Sequence, residues 1–501
     1  MGGSTQIFSR NGVLDAQSED DFEAMLARLA AADDPRLLLF VHGGLVAEDA
    51  GRLSAWIMQN AMHPLVKEGW ETAFLIWRSG LGETIDINWP ELRQNSLFIR
   101  IMLRVIRWLE RRVSSKDALL AVTDAVDWSR PLTAQDLEAV MAALDSMREA
   151  SADEVLAELE LRGELAWAEN ADGLNSLQLS EDPLFLELVE DPQFLAEAGK
   201  LENQELLDPE VREAIAAARA VPLPVGAKRL EAIDGAGFAV ALAAARAGWR
   251  VLKRYIRGRD HGLGPTVVEE ICGSLYLDKV GAVIWGAMKD DARQHFLQGG
   301  AAARLMQGLD AIASGGKPVR VLLIGHSAGS VFTANWAAQA TALAPQISTG
   351  HIMLAPAIRM DEAADLYGKA SAQFEGMRIF TMHDTLESAN HLDGNVFGKI
   401  YHRSLPYLIS GVLERNGRRH YPDAPLLGLE RHHLPRGKLT REERRVLDSM
   451  RDTLAAGPDR IVYSVSNGPD GRTTASEGHG GYYSDPETVQ SILHIARHGF
   501  T

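Results

Sequence analysis

Six short apolar runs constrain this chain more than anything else in it. Residues 37–41 (LLLFV), 73–77 (AFLIW), 320–324 (RVLLI), 351–355 (HIMLA), 377–382 (MRIFTM) and 460–465 (RIVYSV) each end in turn or polar residues. Runs apolar throughout, rather than alternating, fit strands covered on both faces, as parallel sheets are. Helical patterns lie between them, over 22–31, 50–67, 328–343 and 485–497. Strand and helix in alternation predict an α/β fold with a doubly wound, mostly parallel sheet.

One connection is out of proportion. Residues 79–318 are 240 residues between two such runs, where a parallel crossover needs only about a dozen. The expected organisation is a core built from residues 1–90 and 300–501, interrupted by a large, mainly helical insertion at 91–299. Within that insertion, residues 151–210 hold 17 Asp and Glu against 2 Lys and Arg, so most of the chain's net charge of −17 resides there. Apolar side chains at irregular spacing (Trp167, Leu184, Phe185, Leu188, Phe194, Leu195), with Pro183, Pro192 and Pro209 between them, predict short packed helices with a solvated acidic face.

Charge and composition also remove functions. A net negative chain argues against general nucleic-acid binding, which needs a basic surface to neutralise phosphates. Cys272 is the single cysteine, so neither an internal disulfide nor a cysteine metal cluster can form. His261 and the pair His432 and His433 lie in no metal-ligand spacing, and the Gly-rich stretches lack a phosphate-binding or dinucleotide pattern, so neither metal nor cofactor is expected. The opening MGGSTQIFSRNG has no apolar signal region, and no stretch of 18 apolar residues is free of charge; a cytoplasmic protein without a spanning helix is expected.

Chemistry enters at Gly325-His326-Ser327-Ala328-Gly329, which follows the apolar run 320–324 and precedes the helical pattern VFTANWAAQA. A GxSxG turn between strand and helix lifts the serine hydroxyl above the sheet, and its glycines keep the approach clear. The backbone N–H of Ala328 then points where a tetrahedral oxyanion would form. A second donor is expected from the loop after the first run, His42-Gly43-Gly44-Leu45, through Gly44 and Leu45.

HGGL at 42–45, GHSAG at 325–329, the run HIMLAPAI at 351–358 and the chain order Ser, Asp, His make the sequence resemble the serine hydrolases of the α/β-hydrolase superfamily, over roughly residues 7–90 and 300–501. The resemblance implies a catalytic base in the loop between the last strand and the last helix, where His479 stands among Gly478, Gly480 and Gly481. It implies an orienting acid after the run 377–382, where Asp384 is the choice and Asp393 the rival. The expected activity is esterase- or lipase-like cleavage of carboxylic esters through a Ser327, His479, Asp384 triad, with an amidase or peptidase, or a non-catalytic hydrolase-like scaffold, as alternatives.

The insertion occupies the place of a cap in that resemblance. Residues 97–112 set Arg100, Arg104, Arg107 and Arg111 at helical spacing on one face, and 238–259 end in a basic cluster. Both suit either cap helices paired with the acidic unit or peripheral contact with an anionic membrane, so the expected partner is a small-molecule or lipid ester.

Overall fold

The structure, a computed structural model, describes residues 2–43, 48–77, 90, 92–113, 122–146, 150–200, 235–276, 282–370, 374–391, 399–414, 423–433, 441–454 and 460–500. Eight strands form one sheet: β1 (Ser4–Arg10), β2 (Val13–Leu14), β3 (Arg36–Val41), β4 (Glu71–Trp77), β5 (Arg320–His326), β6 (Ser348–Leu354), β7 (Phe374–Met382) and β8 (Ile461–Ser464). Their order is β2-β1-β4-β3-β5-β6-β7-β8, and every pairing is parallel except β1 with β2. All six apolar runs are strands of this sheet. The seventh and eighth, β1 and β2, form a hairpin whose turn residues Asn11 and Gly12 both have positive φ, 49° and 72°, the backbone that an Asn-Gly pair favours.

Alternate residues of each strand enter opposite layers. Leu38, Phe40, Phe74, Ile76, Leu322, Ile324 and Leu354 pack beneath the helices Glu48–Ala61 and Pro486–His498, through Met58, Ile492 and Ile495. Leu37, Leu39, Val41, Leu75, Trp77, Val321 and Leu323 face the helices Glu19–Ala31, Ala301–Ser314 and Gly329–Leu343, through Phe22, Met25, Leu309 and Trp336. The helical pattern at 50–67 is two helices, because Pro64 starts a new one, His63–Lys67.

The second layer runs on into the insertion without a break. Leu97, Ile101, Trp108, Trp249 and Val267 belong to the same apolar cluster as the sheet residues, so the insertion shares the core instead of folding beside it. Its described part is helical, led by Ser96–Val113, Gly235–Ile256 and Leu263–Leu275. The acidic unit is a set of short helices between Ala152 and Gly199. Ser151, Asp182 and Asp191 cap three of them, with Pro183 and Pro192 opening the helices that the two aspartates cap, so the prolines begin helices where they could have broken them. Pro209 lies outside the described residues.

The arginine stripe is taken by this unit. Arg100 and Arg104 both bond Asp191, at 2.7 and 2.8 Å, Arg111 bonds Glu187 at 2.6 Å and Arg112 bonds Glu164 at 2.8 Å. The guanidiniums of Arg104 and Arg107 lie over the Trp128 ring. In the second basic segment, Arg250 and Lys253 bond Asp172, and Arg254 bonds Glu269 and Glu270. These basic side chains are engaged within the chain, and among the described residues no helix is long and apolar enough to cross a membrane.

A second long connection, residues 383–460, joins β7 to β8. It meets the insertion in a buried ionic cluster. Arg259 Nε donates to Asp423 Oδ1 at 2.8 Å, and Arg259 Nη2 donates to His432 Nδ1 at 2.8 Å. His261 Nδ1 bonds Glu269 Oε1 at 2.7 Å, and the Tyr401 hydroxyl donates to the same oxygen at 2.6 Å. His261 and His432 are thereby partners of carboxylate and guanidinium groups. His432 accepts from a guanidinium and is therefore neutral at that nitrogen; burial first, and Arg259 next, hold its basicity far below the ordinary imidazole value.

Candidate active site

Strand β5 lies in the middle of the sheet, and the chain leaves it through a sharp turn into the helix Gly329–Leu343. Ser327, at the apex, has φ +51°. Holding a non-glycine residue there costs about 1–3 kcal/mol, and such a conformation persists only where the surroundings fix it. They do so here: the Ser327 N–H donates to Leu354 O at 2.9 Å, and Ser327 O accepts from the Ala357 N–H at 3.0 Å and from the Ser330 hydroxyl at 2.6 Å.

The two glycines of the pentapeptide are demanded by contact. A Cβ on Gly325 would lie 2.6 Å from Gly329 O, and one on Gly329 would lie 2.4 Å from Val41 O at the end of β3. Backbone on both sides leaves no room for a side chain. The loop after β3 closes on the same spot, since a Cβ on Gly43 would be 3.1 Å from Ser327 Cβ. His42 anchors that loop: its Nδ1–H donates to Gly43 O at 2.6 Å, and Nε2 accepts the Trp77 N–H at 3.2 Å. Burial pushes this imidazole down to about 4, so it stays neutral and keeps both bonds.

His479 comes from the other end of the chain. Its Nε2 lies 3.0 Å from Ser327 Oγ. The loop that carries it runs from β8 to the helix Pro486–His498, which is capped by Asp485 accepting from the Thr488 N–H at 2.9 Å. A second hold comes from His326, beside the serine, whose Nε2–H donates to His479 O at 2.9 Å. Burial, and after it the neighbouring His326, lowers the basicity of His479 below the ordinary imidazole value. Its Nδ1 is buried and has no hydrogen-bond partner among the described residues.

Ala328 is buried, and its N–H finds no acceptor among the described residues, as a donor kept for a substrate oxygen would. Gly44 and Leu45, the other expected donors, and Asp393, the rival acid, lie outside the described residues. Asp384 opens the short helix Asp384–Ala389 after β7, as its position suggested, but its carboxylate is turned to another partner. Oδ1 accepts from the Tyr407 hydroxyl, and the Asp384 N–H donates to Glu430 Oε2 at 2.7 Å. The structure thus brings Ser327 and His479 together and does not join Asp384 to His479. His326 is the residue that sequence reasoning passed over, because the variable position of GxSxG carries no signal about what its side chain reaches.

Chemically, this is a hydroxyl on a strained turn, hydrogen-bonded to a neutral imidazole, beside an unused backbone donor. Ser327 is 3% exposed, so a carbonyl group that reached it would leave water behind. Compared with known proteins, the chain matches no family model, no curated protein and no solved structure.

Proposed function

We propose that the chain is a serine hydrolase of α/β-hydrolase architecture that cleaves carboxylic esters, small or lipid-derived. The observation that carries this reading is the 3.0 Å contact between Ser327 Oγ and His479 Nε2 at the carboxyl end of a central parallel strand, where such sheets collect their reacting groups. In the reaction, Ser327 Oγ attacks the ester carbonyl carbon while His479 Nε2 takes the hydroxyl proton. The oxyanion rests on the Ala328 N–H, with Gly44 and Leu45 as further donors. His479 then gives its proton to the departing alkoxide, and a water molecule attacks the acyl-serine by the same route in reverse. An ester suits this site better than an amide, because an alkoxide leaves more readily than an amine.

A fluorophosphonate probe tests the reading directly, since only an activated serine reacts. Labelling at Ser327, together with turnover across a p-nitrophenyl ester chain-length series, is the expected result. A protein that takes no label and turns over no ester is not a serine hydrolase.

The His326 bond supplies a second expectation. His326→Leu removes the donor that holds the His479 carbonyl, and misplacing a base by about 1 Å costs about 100-fold in rate. We expect kcat to fall about 10- to 100-fold with KM little changed, and His326→Gln, whose amide can still donate, to lose less. Steady-state kinetics on p-nitrophenyl acetate check the ranking.

A further inference from the structure

We propose that Glu387, one turn beyond Asp384 on the same short helix, is the carboxylate that accepts the His479 Nδ1–H bond and orients the base. This rests on the hydrolase reading, because only a histidine that takes a proton at Nε2 needs its other nitrogen held in the N–H form.

Three observations meet at one packing contact. The first is the buried His479 Nδ1, which lacks a partner among the described residues. The second is Glu387 itself, 1% exposed, with Oε1 buried and without a partner among the described residues. Buried polar atoms are nearly always bonded, so each such atom calls for an account. The third is that the two segments touch. A Cβ on Gly478 would lie 3.8 Å from the Asn390 side chain, and the Asn390 N–H bonds back to Leu386 O and Glu387 O at 3.0 and 3.3 Å. Tyr482, three residues past His479, packs in the same apolar cluster as Leu386, and the charge of Glu387 raises the pKa of its phenol, second to burial. The Tyr482 hydroxyl is also buried and without a partner among the described residues. An unused acceptor and an unused donor therefore stand on the two sides of one helix-to-loop contact.

Of the two acids expected from the sequence, Asp393 lies outside the described residues, and Asp384 is committed elsewhere. Asp384 takes the Tyr407 hydroxyl and contributes to the field on Arg431, on the side of the buried ionic cluster. Glu387 carries one more methylene than aspartate, which suits a position one turn further from the strand end. Burial pushes its carboxyl up to about 7, with Asp384 adding and the Ser404 hydroxyl opposing. An imidazolium forming at His479 would favour the ionised form of such a group.

The test compares Glu387→Gln with Asp384→Asn in the full chain, with p-nitrophenyl acetate as substrate. We expect Glu387→Gln to lower kcat by about 10²- to 10⁴-fold with KM nearly unchanged, because an amide at that position favours the wrong imidazole tautomer. Asp384→Asn should cost at least tenfold less. A proton spectrum of the wild type should show a hydrogen-bonded, low-field Nδ1–H resonance for His479, kept in Asp384→Asn and lost in Glu387→Gln. A larger kcat loss in Asp384→Asn, or that resonance vanishing there, overturns the assignment. Should Glu387→Gln not fold, the wild-type and Asp384→Asn spectra decide alone. Fluorophosphonate labelling of wild-type Ser327 separates the two levels: a labelled serine with an indifferent Glu387 sinks only this inference, whereas an unlabelled serine sinks the hydrolase reading and this inference with it.

Discussion

Ser327→Ala is expected to lower ester hydrolysis by about 10⁴- to 10⁶-fold while leaving the melting temperature near that of the wild type. The covalent route disappears with the hydroxyl, and what remains is the binding and oxyanion stabilisation that a water molecule can still use. The fold should tolerate the change, because the hydrogen bonds that fix the turn run through the backbone of Ser327 and the hydroxyl of Ser330. Alanine at φ +51° carries the same strain that serine does. His479→Ala should lose a comparable factor, and combining the two should cost little more than either alone, since they act as a unit. Turnover close to that of the wild type in purified Ser327→Ala removes the mechanism.

The second large effect is on stability. Asp423→Ala is expected to destabilise the protein by about 3–5 kcal/mol, because it strands buried positive charge. Asp423 is fully buried and bonds Arg259 at 2.7 Å, with His261 at 3.4 Å and Arg431 at 3.9 Å from its carboxylate. The sign of the pH dependence follows from its position. Burial opposes ionisation, yet Arg259 and the groups around it hold the carboxyl well below its ordinary value of 3.8. A carboxyl depressed in the folded state contributes fully above that ordinary value and loses its contribution as pH falls below it. The gap between wild type and Asp423→Ala, measured by denaturant unfolding, should therefore be widest near neutrality and narrow below about pH 4. A gap that is absent at pH 7, or that widens on acidification, contradicts the assignment of that cluster as a joint between the insertion and the 383–460 connection.

How much of this was legible in the sequence depended on whether a residue's neighbours determine its role. Strands β3 to β6 are buried along nearly their whole length, so the apolar runs within them identified themselves, as did the buried end of β7, whereas β8 alternates half-buried and buried residues. β1 alternates buried and part-exposed residues over Ser4–Arg10, and only Asn11-Gly12 marked its hairpin. The pairing of Ser327 with His479 was legible because it depends on chain order and loop position. The orienting acid was not. Asp384 stands where position suggests, but at the first residue of a helix the direction of a side chain is decided by what lies across from it, and here that is Tyr407. The acidic unit was visible as charge, while its counterpart was weighed between a membrane and the cap itself; Asp191, Glu187 and Glu164 settle where those arginines sit.

The position of β8 has a consequence for timing. This strand is the last in the sheet, paired among the described strands along β7, and the loop after it delivers the imidazole to a serine 152 residues earlier in the chain. Edge elements with few ladder bonds are the first to open and the last to be secured. In the proposed reaction the hydroxyl therefore lacks its base until residues 461–498, the last part of the sheet and its following helix to be synthesised, have docked.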